Sequence, residues 1–478
     1  MKIKTIIPAI LLTMLVPGTA GATTLTLQQC RDSAIANNSG LKIARQKIDI
    51  AGYDRKIALA NYFPDISASG AYMYNSRNLN LLTENASGAL SGLGSSMQEA
   101  MPDLFRYIES LTSVDAAARL NEIGNEISKA FELDIQNVVI GSVNLTQPVF
   151  MGGKIVASNK MAKLSEELAG TQYETGRNEV ISQVDNAYWQ TVSISGKKRL
   201  AQDYADLLHQ MLRDTEIMEA EGMATKADLL TVKVKANEAD MLLTKASNGL
   251  VLSKMLLCKL CGMELDSEIE LADEGLEAVP VPGPAQEKSY DEIFADRPEI
   301  RSLELAGQIY DRRVAVARAD MMPHIAVTAS YFVTNPNLYH SFRNEFGGMF
   351  NVGVAINIPI IHGCEAMQKV RKAKAEAVLT GYRIEDAKEK ISLQVAQLRK
   401  RREEASGKLD MALNNLESAE ENLRTATVGY SEGVVPANTV LAAQTAWMQA
   451  HSEYIDAGVE MQVVAGELGM AEMTAGIE

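Results

Sequence analysis

The chain repeats itself. Shifted by 211 residues, the sequence lays Pro148 on Pro359, Gly152 on Gly363, Gly170 on Gly381 and Gln183-Val184 on Gln394-Val395. The same shift lays Ser195-Gly196-Lys197 on Ser406-Gly407-Lys408, Leu212 on Leu423, Glu221-Gly222 on Glu432-Gly433 and Leu230 on Leu441. The opening of each repeat also matches, at an offset of 259 that lays Pro64 on Pro323. The offsets differ by 48, so the first repeat carries about 48 extra residues within Asn75 to Phe131. Glycines and prolines that recur at fixed spacing describe one architecture written twice. The repeats are expected over 23–270 and 290–478, with a linker at 271–289.

Each repeat reads helix, strand, loop, strand, long helix, turn, helix. The opening helices are expected over Leu27–Asn61 and Tyr290–Asp320. Pro64 and Pro323 then halt them, because proline lacks an N–H and disfavours the helical conformation just before it. After each proline the period changes to two. Ile66, Ala68, Gly70, Tyr72 and Tyr74 share one face, and Asp65, Ser67 and Ser69 the other. Ile325, Val327, Ala329, Tyr331 and Val333 oppose His324, Thr328 and Ser330. The returning strands set Val139, Val143 and Leu145 against Ser142, Asn144 and Thr146, and set Phe350, Val352, Val354, Ile356 and Ile358 against Asn351 and Asn357. One apolar and one small polar face over about ten residues is the pattern of a transmembrane β-strand; a soluble β-sandwich edge is the alternative.

"LTQPVFMGGK" (Leu145–Lys154) and "INIPIIHGCE" (Ile356–Glu365) mark the exit from strand to helix. Pro148 and Pro359 are expected to stop the ladder, and Gly152 and Gly363 to let the chain turn. Helices without internal proline follow, over Lys154–Glu221 and Glu365–Ser431. About 65 residues give a helix of roughly 100 Å. Ile181, Val184, Tyr188, Leu200, Tyr204, Leu207 and Met211 carry the spacing of a coiled-coil seam. Gly222 and Gly433 end the long helices, and shorter ones return to about Leu260 and Leu468.

Four strands per chain cannot close, and an open edge in lipid leaves N–H and C=O groups unpaired, so a membrane-inserted chain must associate. Two, three or four copies would supply eight, twelve or sixteen strands.

Residues 1–22 read as a secretory signal: Lys2 and Lys4, an apolar Ile6–Val16, then Ala20-Gly21-Ala22. Cys30 follows Gln29 rather than a small residue, so lipidation is not expected there. No later segment is apolar enough for a spanning helix. Removing Lys2 and Lys4 takes the net charge from −15 to −17, which argues against nucleic acid as a partner, since phosphate backbones demand Lys/Arg patches. Cys258 and Cys261 form a single Cys-x-x-Cys without the second pair or nearby His that a metal site requires, and are expected as buried helix residues, with a redox or disulfide role as the alternative. No cofactor is expected.

The duplicated pattern resembles the TolC family of outer-membrane efflux channels over nearly the whole chain apart from the insertion. "LTLQQCRDSAIANN", "AYWQ" (Ala187–Gln190), "EGMATKADLL", "RPEIRSLELAGQIYDRRVAVARADMMPHIAVTASY" (Arg297–Tyr331) and "GYSEGVVPANTVL" carry the resemblance. It implies an α+β membrane protein: a trimer whose four transmembrane strands per protomer complete a twelve-stranded barrel, with coiled-coil hairpins forming a periplasmic tunnel. It implies a passive exit duct of a tripartite efflux or type I secretion system, in a Gram-negative outer membrane. The partners implied are a periplasmic adaptor and an inner-membrane pump of RND, ABC or MFS type. Gly222-Met223-Ala224 and Gly433-Val434-Val435 match the tips that contact the adaptor. Tyr430 matches the family's gating Tyr and Asp228 its acidic partner. Val435 replaces the gating Arg, and Thr439 and Ala442 replace two acidic rings, so a more apolar constriction is expected. The insertion, between the first two strands, falls at the outer surface or in the barrel mouth.

A periplasmic adaptor would also carry a long hairpin, but one hairpin rather than a duplicated pair with strands. A purely structural coiled coil would lack the strands. An enzyme is not expected: there is no nucleophile–His–acid set, phosphate loop or metal cluster, and "SGKK" falls mid-helix. The 22 Met allow a heavy-metal cargo, although Met more often fills cores.

Overall fold

The computed structural model describes residues 23–275, 279–283, 287–340, 343–360 and 364–474. The signal segment 1–22 and Gly363 lie outside the described residues. Elements follow the repeat. In the first, β1 (Thr23–Leu25), α1 (Leu27–Asn37) and α2 (Ser39–Ala60) precede β2 (Asp65–Tyr74). The insertion holds β3 (Leu79–Asn80), α3 (Glu84–Ser91), α4 (Leu93–Ala100), α5 (Pro102–Thr112), α6 (Ala116–Ala130) and β4 (Glu132–Leu133). Then come β5 (Asn137–Met151), α7 (Lys154–Ala220), α8 (Lys226–Cys261) and β6 (Ile269–Leu271). The second repeat is α9 (Tyr290–Asp296), α10 (Pro298–Ala319), β7 (His324–Asn335), β8 (Gly347–Asn357), α11 (Glu365–Ser431) and α12 (Ala437–Ala471).

The opening helices are each broken once. Asn38 leaves the helical region (ψ 125°), and its Oδ1 accepts from the N–H groups of Gly40 and Leu41, restarting the chain as α2. Pro298 takes the first position of α10 and forces Arg297 into an extended conformation. The two long helices run unbroken for 67 residues each.

Contacts divide the chain into two units that cut across the sequence repeats. One holds residues 54–162 and 310–375, the other 1–53, 163–309 and 376–478. The first contains an antiparallel sheet in the order β2-β5-β7-β8. Each repeat supplies two strands, and β5 pairs with β7 to join them. Pro148 does not stop β5, contrary to expectation. The strand runs on to Met151 through a register shift between Pro148 and Phe150, where the missing N–H is absorbed. Pro359 does follow the end of β8.

The second unit is helical. One core gathers Cys30 and Ala34 of α1, Val184, Tyr188 and Val192 of α7, Leu257, Cys258 and Cys261 of α8, and Ile269 and Leu271 of β6. The parallel pair β1–β6 packs at this core through Leu25, Ile269 and Leu271. The "AYWQ" motif is structural here. Tyr188 is fully buried, donates to Asp273 Oδ2 at 2.6 Å and meets Trp189 edge-on. Burial and that carboxylate raise its pKa. Another core joins Ile293, Ile300, Ile391, Val395, Leu398 and Leu468. Beside it, Arg297 donates to the Ala471 carbonyl and Arg399 clasps the fully buried Glu472 at 2.6 Å.

Candidate functional site

Two parts of the fold carry the expected function: the sheet, and the pair of turns that end the long helices. In the sheet, registry turns alternation along each strand into rows across four strands. Ile66, Leu145, Ala329 and Val352 form an apolar row, while Ser67, Asn144, Ser330 and Asn351 form a polar one. Ser69 and Ser142 hydrogen-bond on the polar face at 2.8 Å. A soluble sheet covers its apolar face. Here Ile66 is 65% exposed, Val352 62% and Ile356 61%, and no described residue of the unit packs over them. Among the described residues, β2 and β8 have no partner on their outer edges. Among the described residues no helix is long and apolar enough to cross a membrane.

The sheet passes to helix through a glycine pair. Gly152 and Gly153 have φ of +62° and +84°, and a Cβ on Gly152 would meet Met322 Cβ at 2.5 Å and the Ala319 carbonyl at 2.8 Å. Lys154 then bonds Asp320 at 2.8 Å, fixing the start of α7 against the end of α10. At Pro64 and Pro323 the chain enters β2 and β7 from their helices.

The two tips are copies of one motif. Gly222 (φ +78°) donates to Glu219 O, and Met223 to Met218 O at 2.8 Å. Gly433 (φ +71°) donates to Tyr430 O, and Val434 to Gly429 O at 2.8 Å. This is the Schellman termination: left-handed glycine satisfies the last carbonyls of a helix. It leaves Met223 (73% exposed) and Val434 (77% exposed) bare at the turns, with Ala224 and Val435 half-buried beside them. The tips then differ. Thr225 caps α8 and receives in return the Asp228 carboxylate, a capping box, whereas Pro436 opens α12 with no side-chain cap. Below the tips, Tyr204, Leu208, Met211, Val232, Ala236, Ala426, Val440 and Leu441 form the core that binds four helix ends.

Tyr430 and Asp228 are not joined within the protomer. Asp228 accepts from the Thr225 hydroxyl at 2.6 Å and from its N–H, and these bonds lower its pKa. Tyr430 instead bonds Thr215 Oγ1 of α7 at 3.1 Å. Thr215 is fully buried and spends its own proton on Met211 O, so the Tyr430 hydroxyl is the donor. Thr215 went unseen in the sequence, since nothing in the heptad spacing separates it from a core filler. Thr439 and Ala442 are both exposed, three residues apart on the free face of α12.

Cys30, Cys258 and Cys261 are free and buried, which answers the Cys-x-x-Cys as core packing. Cys30 has no exposed surface. No cluster of His, Cys, Asp or Glu suited to a metal occurs among the described residues.

Residues 289–465 match the family model described as outer membrane efflux protein. The chain is 23% identical over 435 residues to the probable outer membrane lipoprotein SilC of Salmonella typhimurium, covering 90% of this chain and 82% of that protein. It is 20% identical over 345 residues to the alkaline protease secretion protein AprF of Pseudomonas aeruginosa, covering 70% and 71%. Among solved structures it superposes on the outer membrane protein VceC of Vibrio cholerae with a TM-score of 0.70 at 16% identity, over 95% of this chain and 97% of that one. CusC gives 0.71 at 16% identity, over 95% and 94%.

Proposed function

We infer the function from the premise that this chain is an outer membrane efflux protein of the TolC type. It lies in the outer membrane of a Gram-negative bacterium and serves as the exit duct of an efflux or secretion system, a conduit rather than a catalyst. The observation that carries this reading is the sheet. Its apolar rows are uncovered and its two edges bare, a state that lipid on one face and neighbouring copies on the edges would resolve. Three copies would close twelve strands, and the polar rows would then line the bore.

The helical hairpins form the periplasmic passage in this reading, and the tips at Gly222-Met223-Ala224 and Gly433-Val434-Val435 dock a periplasmic adaptor. Exposed apolar side chains on glycine-tightened turns suit packing against another hairpin. An inner-membrane pump of RND, ABC or MFS type would supply energy. Tyr430 would hold the passage closed through Thr215, with Thr439 and Ala442 on the bore side and no acidic ring. AprF's name attaches it to protease secretion and that of TtgC of Pseudomonas putida to an efflux pump, so the architecture serves both kinds of cargo.

The test is the mass of the protein extracted from outer membranes in detergent, by light scattering. Three chains per particle is expected. A soluble periplasmic monomer would refute the reading.

A further inference from the structure

Three of the four cysteines meet in one core, and the duct reading leaves them without a task. Cys30 of α1 and Cys258 and Cys261 of α8 are all thiols and all buried. Cys30 and Cys261 form a pair. The Cys261 thiol donates to the Cys30 carbonyl at 3.5 Å, and the Cys30 thiol donates to the Cys261 sulfur. Cys258 turns elsewhere, its Sγ 4.0 Å from the Ser267 carbonyl. The Cys-x-x-Cys spacing itself is the wrong one for a bond. Helical residues three apart hold their Cβ atoms about 5–6 Å from each other, whereas a disulfide needs about 3.5–4.5 Å. Cys30 approaches from a different helix and escapes that constraint.

Helix α1 is fastened to the end of α8 around that pair. Ser33 Oγ donates to Cys261 O at 3.0 Å, and Asn38 Nδ2 to Leu260 O at 3.3 Å. A Cβ on Gly262 would meet Asn37 Cβ at 2.6 Å, so the two chains touch there. The duplication adds a second observation. The shift of 211 lays Cys261 on Glu472 and Tyr188 on Arg399, and laying the N-cap Thr26 on the N-cap Ser289 puts Cys30 on Ile293. The second repeat fastens the end of its last helix through the Arg399–Glu472 clasp. The first repeat carries no charge at either of those positions, and sets a thiol against a thiol instead.

We propose that Cys30 and Cys261 are joined by a disulfide in the exported protein, a covalent staple across the first repeat. This rests on the outer-membrane reading, which takes the chain out of the reducing cytoplasm. The oxidant is an exported protein disulfide, and exchange begins before α1 docks, since both sulfurs are buried afterwards. Cys30 leaves the cytoplasm first. Its thiolate attacks one oxidant sulfur, giving a mixed disulfide and releasing the other oxidant sulfur as a thiolate. When α8 arrives, the Cys261 thiolate attacks the Cys30 sulfur and expels the second oxidant thiolate. The two cysteines lose two electrons and two protons, and the oxidant takes both and leaves as a dithiol. The bond links residues 231 positions apart, so it removes much of the freedom of the unfolded first repeat.

The test needs no variant. Cells are quenched in acid and fractionated, and the chain is denatured and blocked with light N-ethylmaleimide. It is then reduced and labelled with the heavy reagent, and its peptides are weighed. The expected result in outer membranes is light label on Cys258 and Cys364 and heavy label on Cys30 and Cys261. Light label on all four in outer-membrane protein overturns the staple and leaves the duct intact. Heavy label on Cys258 or Cys364 reports a different pairing and overturns the staple as well. A chain confined to the cytoplasm with four light labels overturns staple and duct together. A second measurement reads the consequence: dithiothreitol should lower the melting temperature of the native chain and leave that of Cys30→Ala unchanged. An equal fall in both, or none in either, would refute the staple.

Discussion

Tyr430→Phe isolates a single bond at the tips. The donor direction is fixed, because Thr215 has already given its proton to Met211. Removing the Tyr430 hydroxyl therefore leaves no buried donor stranded, and the cost is that of one neutral hydrogen bond, about 0.5–1.5 kcal/mol. If the bond exists only in the closed state, the open-to-closed ratio rises by about 2- to 13-fold. Thr215→Val removes the acceptor from the other side and should shift the ratio in the same direction. The double variant should match the single ones rather than add to them, since all three remove the same contact. The assay is open probability in planar bilayers, with particle mass checked for each variant. Additive effects, or an unchanged open probability in intact particles, would refute the assignment of Tyr430 to the gate. Asp228→Ala should leave open probability unaltered, because its carboxylate serves the start of α8.

Three further outcomes are expected. Gly152→Ala forces a left-handed Ala against Met322 and Ala319, and should cost more than about 2 kcal/mol, read as a lowered yield of assembled particles. Arg399→Met strands Glu472 and should cost about 3 kcal/mol, the low end for a broken buried pair because the guanidinium still reaches solvent; adding Glu472→Met should restore most of the lost melting temperature. His451 packs among Trp447, Asp203, Glu420 and Arg199, and burial lowers its pKa below 6.5. The unfolded chain then binds the proton more readily, so this group's contribution is full above pH 6.5 and declines as pH falls through and below that value. His451→Gln should flatten the acid side of the stability profile, measured by helical melting at a series of pH values.

Much of this fold could be read from the sequence because its punctuation is covalent. Glycine at a left-handed position and proline at a helix start leave few options, and both long helices end where Gly222 and Gly433 require. Strand faces were legible because alternation needs only a period of two, and the register later set row against row. The break at Asn38 escaped because it depends on a side chain bonding its own backbone, which Asn does equally in a turn or a cap. Pro148 misled because a proline ends a strand only where its N–H is required, and a bulge lifts that requirement. The Tyr430–Thr215 bond joins residues far apart in the chain, a pairing that no local pattern encodes.

The junction of β5 with β7 also dictates an order of events. Partners such as Val143 and Tyr331 stand roughly 190 residues apart, with two long helices between them. Until β7 has been exported, β2 and β5 can form only a two-stranded ribbon, with both rims open and an apolar face in water. Every molecule must therefore pass through a stage in which its first half is a hazard to itself and its neighbours.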